Sequence, residues 1–243
     1  LEGLDLGWGK GTAILELTQQ ITEMRSFGRK LANGSQAAAK SFNRGFEYLV
    51  TVRGIELPMH DPKATPGYAR TYQVDPTPGR HVKPGFAYIQ QMGMDDEIKW
   101  DFSNTGENDK KASAALEFVY ITGSCEFVRI PGTVDAPMRL MEAVTGWNYS
   151  EQERMEASLR SLNMRQSFNL REGILPKDAT IPRRVIGDPP QKTGPNEGKT
   201  VDAEALKRNF FQAMEWDLET GKPSRKSLEQ LGGFDDVIRD LYG

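Results

Sequence analysis

Two short stretches of this 243-residue chain place chemically capable residues close together. Thr122-Gly123-Ser124-Cys125 contains the only cysteine. A glycine at such a turn lets main-chain N–H groups approach a ligand, and a thiolate can serve as nucleophile or metal ligand. The competing reading is a buried helix that ends at Gly123, with Cys125 as a small apolar filler. The second stretch is Thr77-Pro78-Gly79-Arg80-His81. A pre-set turn followed by Arg and His can aim two polar side chains into a cavity, and an exposed loop with two solvated side chains accounts for it equally well. Arg154, Arg160, Arg165 and Arg171 recur along one predicted helix, a pattern that suits a solvated face or a set of ion pairs. Cys125 with His81 does not make a convincing hydrolase, because no orienting Asp or Asn motif accompanies them.

The elements that must position these residues read as mainly α. Ala112, Ala115, Leu116, Val119 and Tyr120 recur at three and four, which predicts a buried helix leading into Gly123. Ser150-Glu151-Gln152-Glu153 is a capping box, and Met155, Leu159, Leu162 and Phe168 continue the helix it opens. Further helices are expected over Gly11–Ser26 (stripe Ile14, Leu17, Ile21, Met24; cap Thr12), Phe27–Ala32, Gln36–Phe42, Gly67–Val74, Asp135–Trp147, Val201–Trp216, Ser224–Leu231 and Phe234–Tyr242. Tyr48–Val52 is short and β-branched. Pro58, Pro62, Pro66, Pro76, Pro78 and Pro84 exclude a long helix from 56 to 85, and Tyr68, Tyr72 and Val74 within it need burial, so this stretch reads as a rigid wall. Residues 187–200 are rich in Pro and Gly without apolar content and read as a mobile loop.

Composition narrows the function. With 31 basic and 34 acidic residues the net charge is −3, which gives no electrostatic case for nucleic acid or an anionic membrane. No apolar run approaches the roughly 20 residues needed to span a bilayer. One cysteine excludes an internal disulfide framework and any four-cysteine site built from this chain alone, and it suits a reducing, cytoplasmic compartment. The opening Leu1-Glu2-Gly3-Leu4-Asp5 lacks an initiator Met and reads as the middle of a longer protein.

Several stretches in order resemble the carboxy-terminal half of the tungsten-containing aldehyde:ferredoxin oxidoreductase family. They are Leu4-Asp5-Leu6-Gly7-Trp8-Gly9, Arg53-Gly54-Ile55-Glu56-Leu57-Pro58 with Asp61-Pro62-Lys63, and Thr77-Pro78-Gly79-Arg80-His81. Asn169-Leu170-Arg171-Glu172-Gly173 with Asp178 and Pro182-Arg183 follows, then Glu215-Trp216-Asp217 with Thr220-Gly221-Lys222-Pro223. The chain departs from the family at its second pterin motif, D-x-x-G-L-C. Gly123 and Cys125 match, but Tyr120 replaces the Asp that hydrogen-bonds the pterin and Ser124 replaces Leu.

The resemblance implies irregular multi-helix domains, with residues 1–55 ending a middle helical domain and 56–243 forming the carboxy-terminal one. It implies an oxidoreductase acting on aldehydes or related carbonyl compounds and passing electrons to ferredoxin or a partner subunit. Cys125 becomes the fourth thiolate of a [4Fe–4S] cluster, and His81 lies near a tungsten (or molybdenum) bis-pterin, where it can donate a proton or hydrogen bond. Tyr120, Gly123, Ser124, Arg80, Arg165, Asn169 and Arg171 become cofactor contacts, the arginines through phosphate. His60 matches no functional position and reads as a surface or packing residue. Both cofactors require an amino-terminal part beyond this chain, so neither is expected on the chain alone. Homo-oligomerisation stays open, and so does the alternative of a non-catalytic scaffold or binding module derived from the family.

Overall fold

The computed structural model describes residues 3–83, 85–91, 93–125, 127 and 136–243. The expectations for Leu1, Glu2, Pro84 and Asp135 concern residues outside these. Among the described residues the chain forms twelve α-helices and one two-stranded hairpin, so the fold is mainly α.

Helix α4 (Gly67–Val74) is the centre of the packing, and all eight of its residues are buried. Pro66 precedes it at the N-cap, where a missing N–H costs nothing. One core cluster gathers around Tyr68, Ala69 and Tyr72, with Val52, Ile181, Val185, Val201 and Leu206. A second joins Val74 to Leu162, Phe210, Phe211, Met214 and Trp216. Phe210, Phe211 and Met214 come from α10 (Ala203–Ala213) and the residue after it, so α10 feeds both clusters. This is the apolar face expected between Val201 and Trp216.

Helix α7 (Gly106–Ile121) packs between α9 (Glu151–Arg171) and α10. Its buried face differs from the expected one. Leu116 and Val119 are buried, but Ala115 is exposed, and Asp109, Ser113 and Glu117 go inside. Each of these three polar side chains is satisfied by partners, and that is why burial is tolerated. Helix α9 opens with the expected capping box: Ser150 Oγ accepts from Glu153 N at 3.2 Å and Glu153 Oε2 accepts from Ser150 N at 2.8 Å. Its interior face is also polar. Asn163 Oδ1 accepts from Trp216 Nε1 at 2.8 Å, whereas Phe168, expected on the apolar face, is about half exposed.

Helix α1 (Gly11–Thr22) stops four residues before Ser26, because Met24 and Ser26 adopt positive φ. Lys10, not Thr12, occupies its N-cap, and no side chain caps it. Ile14 and Met24 of the expected apolar stripe are exposed, and α2 (Gly28–Leu31) is the helix packed most closely against α1. Helix α3 (Ser35–Phe42) follows, and Ser35 N donates to Glu56 Oε1 at 2.7 Å. Glu56 belongs to a hairpin of β1 (Thr51–Val52) and β2 (Ile55–Glu56), antiparallel with Thr51 opposite Glu56. Its two-residue turn, Arg53-Gly54, takes positive φ at both positions, the type I′ habit. This hairpin runs across the division expected at residue 55.

The short helices α5 (Phe86–Gln91) and α6 (Asp96–Lys99) precede α7, and α8 (Ala136–Thr145) lies between α7 and α9 in sequence. Helices α11 (Arg225–Leu231) and α12 (Asp235–Tyr242) close the chain against α9. The 187–200 segment closes on itself: Gly198 N donates to Gln191 O at 3.0 Å, and Thr200 Oγ1 to Gly187 O at 2.8 Å. No described helix is long and apolar enough to cross a membrane.

Candidate functional site

His81 lies on the segment that leaves α4 and runs toward α5. Both flanks of that segment are anchored by α7 and α9. On the upstream side, Arg165 Nη2 donates to Thr77 Oγ1 at 2.8 Å and lies 3.6 Å from Asp75, while Asn169 Nδ2 donates to Pro76 O at 2.7 Å. On the downstream side, Lys83 Nζ meets Glu117 Oε2 at 2.5 Å and the Tyr120 hydroxyl donates to Val82 O. Glu117 joins the two flanks, because it also accepts from Arg165 at 3.0 Å and from Ser161 Oγ at 2.6 Å. Burial alone would raise the Glu117 carboxyl, but the Arg165 charge with Lys83 and Ser161 holds it below the ordinary value.

A second buried pair lies just beyond. Arg70 Nε donates to Asp109 Oδ2 at 2.6 Å, Phe86 N donates to Asp109 Oδ1 at 2.9 Å, and Arg70 Nη2 reaches Ser113 Oγ at 3.1 Å. Neither member of the pair is more than 1% exposed. Burial pushes the Asp109 carboxyl upward against the pull of Arg70. Gly85 is why the chain can close over this pair: its φ is +53°, and a Cβ there would stand 1.8 Å from Arg70 Nη2.

The thiol turn follows the C-terminus of α7. Cys125 is exposed, which overturns its reading as a buried filler. Gly123 takes φ +78°, and among the described residues no heavy atom beyond its chain neighbours lies within 4 Å of where its Cβ would be. Ser124 is half-buried, and its hydroxyl accepts from Thr122 Oγ1 at 3.2 Å. The phenol of Tyr120 ties this end of α7 to Val82, the residue after His81, and Lys83 Nζ sits 4.1 Å above the Tyr120 ring. Tyr120 thereby links the last turn of α7 to the histidine segment, 38 positions away in sequence.

The other candidates are dispersed. Arg80 is exposed. Arg165 and Asn169 are engaged with the 75–77 segment, and Arg171 lies on the surface against Glu172 and over Phe168. Two apolar cavities flank α8, of about 380 and 440 Å³. Ser124 and Thr122 border the larger, and neither His81 nor Cys125 lines either one. Among the described residues, no cluster of three or more His, Cys, Asp or Glu side chains could hold a metal ion.

Sequence reasoning did not single out Arg70, Asp75, Lys83, Asp109 or Glu117. One signal was available: Asp109, Ser113 and Glu117 recur at four-residue intervals on the helix that precedes the cysteine turn, a polar row inside an otherwise small and apolar face.

Among the described residues, a mainly helical scaffold carries an exposed thiol after a glycine turn and a histidine segment held by α7 and α9. Residues 1–232 match the family model described as aldehyde ferredoxin oxidoreductase, domains 2 and 3, and the chain belongs to that family. It is 28% identical over 232 residues to the tungsten-containing aldehyde ferredoxin oxidoreductase of Pyrococcus furiosus, covering 93% of this chain and 37% of that protein. It is 26% identical to the Thermococcus kodakarensis protein of the same name, over the same shares. A P. furiosus protein named aliphatic sulfonate oxidoreductase, WOR-like subunit, is 27% identical, with 95% of this chain and 36% of that protein covered. The chain thus spans little more than a third of the length of these relatives.

Proposed function

We propose that the chain is the helical carboxy-terminal part of a tungsten-pterin, iron–sulfur oxidoreductase that oxidises aldehydes or related carbonyl compounds and passes electrons to ferredoxin or a partner subunit. The observation that carries this reading is the exposed Cys125 after the positive-φ Gly123 turn, at the end of the helix whose Tyr120 is tied to the His81 segment. An open turn with one accessible thiol fits one corner of a [4Fe–4S] cluster whose other thiolates come from elsewhere. When bound, a tungsten (or molybdenum) bis-pterin with such a cluster supplies the two-electron chemistry and its onward transfer in single-electron steps.

The residues of this chain hold, orient and protonate. Cys125 contributes one thiolate. His81 donates a proton or hydrogen bond to an oxygen at the reacting centre, and its backbone is fixed by the Glu117–Arg165–Lys83 network. Gly123 leaves room for a flat ligand to approach the main chain. Tyr120 favours a second reading, a scaffold or binding module derived from the family. It stands where the family has Asp, and its hydroxyl donates to Val82.

In the complete polypeptide that carries this region, His81→Asn should lower turnover by about 10²- to 10⁴-fold while sparing metal content, because its role is proton donation and not ligation. Unchanged turnover would remove the catalytic assignment of His81, and a parent protein with no turnover and no bound tungsten or iron would favour the scaffold.

A further inference from the structure

The link between α8 and α9 is short and carries two aromatic residues, Trp147 and Tyr149. Gly146 turns the chain out of α8 with φ +73°, and Trp147 N donates to Thr145 Oγ1 at 3.1 Å. The capping box of Ser150 and Glu153 then fixes where the chain enters α9. Two local devices thus define the backbone on either side of the aromatic pair. The Trp147 and Tyr149 rings meet edge to face at 6.1 Å, and Tyr149 meets Phe118 of α7 edge to face at 6.3 Å. Phe118 is buried and Trp147 is 60% exposed, so the three rings run from the core to the surface.

All three rings line the cavity of about 440 Å³, a size at which small-molecule sites occur. Among the described residues no charged side chain lines it. Its polar side chains are the hydroxyls of Thr122, Ser124, Thr145 and Tyr149 and the Trp147 indole N–H, all neutral. The smaller cavity shares Phe118 and Pro137 but adds Glu151 and Arg154, so the two spaces differ in charge. We propose that the larger cavity is a binding site for an uncharged molecule with a single aromatic ring. Such a ring can meet Phe118, Trp147 and Tyr149 in the same edge-to-face manner in which they meet one another, and the Met141 thioether is a further favourable neighbour for it. An ionised group would lose its water there and gain no countercharge. The inference does not rest on the roles proposed for Cys125 and His81, neither of which lines the cavity.

The probes are acetophenone, which is neutral, and benzoate, which carries a charge on the same ring. Each is titrated into the whole chain while the Met141 methyl resonance, assigned by its loss in Met141→Leu, is followed. Acetophenone should shift that methyl with a Kd of about 1 mM or tighter, the scale for so small a ligand. Its ring protons should show a nuclear Overhauser effect to the same methyl. Benzoate should bind at least about tenfold more weakly, because its carboxylate finds no cation in the lining. A ring contact that leaves Met141 untouched, or benzoate binding as tightly as acetophenone, would overturn the proposal with no variant needed. Ala157→Leu places a larger side chain in the lining and should weaken acetophenone by about fivefold or more. Undiminished binding by that variant would also overturn it.

Discussion

Glu117 is the residue on which the geometry of the histidine segment turns. It is nearly inaccessible, and it accepts from Lys83, Arg165 and Ser161, so the loop at Lys83 and helix α9 converge on one carboxylate of α7. Removing it leaves two cations facing each other in a poorly solvated space. Glu117→Gln should cost about 3 kcal/mol, measured by chemical denaturation, the scale for breaking a buried pair from one side. The sign of the pH effect follows from its lowered carboxyl: the contribution is complete above the ordinary 4.5 and is lost as pH falls through the lower folded value. Stability of the parent should fall across that acid window more steeply than stability of Glu117→Gln. Parallel pH curves would show that the carboxylate is not held low. None of this was legible in the sequence. A Glu within a helix that also carries Lys110 and Lys111 looks solvated, and its partners lie 34 and 48 positions away.

At the scale of elements, the sequence was most readable where local and tertiary preferences agree. Helix α4 sits where expected, α9 begins at its capping box, and α10 with its C-cap buries Leu206, Phe210, Phe211 and Met214. The box predicts its own test: Ser150→Ala should destabilise by about 1 kcal/mol and shift the denaturation midpoint accordingly. Reading failed where tertiary pairing overrides periodicity. The inward row of α7 is Asp109, Ser113 and Glu117, whereas pattern favoured Ala112, Ala115 and Tyr120. Asp109→Asn should therefore cost more than the loss of any surface helix charge, about 3–5 kcal/mol, because Arg70 is left buried and uncompensated. A loss under 1 kcal/mol would mean the pair is relaxed or hydrated. Gly85→Ala should destabilise by a comparable amount, since its φ is left-handed and its Cβ would strike the same Arg70.

At the scale of the whole molecule, the core centres on α4, and α7 and α9 hold the 75–83 segment between them. The family was legible because scattered motifs kept their order along the chain. The candidate site was legible only in part, since Gly123, Cys125 and His81 carry visible signals while the contacts that hold the histidine segment are long-range. Cys125 supplies a single thiolate, so the chain by itself should bind iron at well below the four atoms of a [4Fe–4S] cluster. The central claim is that this thiol completes a cluster built largely by another part of the protein, and iron content tests it most directly. In the complete polypeptide, prepared without oxygen, the parent should carry the full complement of iron with broad visible absorption that bleaches on reduction, and Cys125→Ser should lose iron or lose that absorption. A Cys125→Ser protein with parental iron, parental absorption and parental turnover would contradict the account.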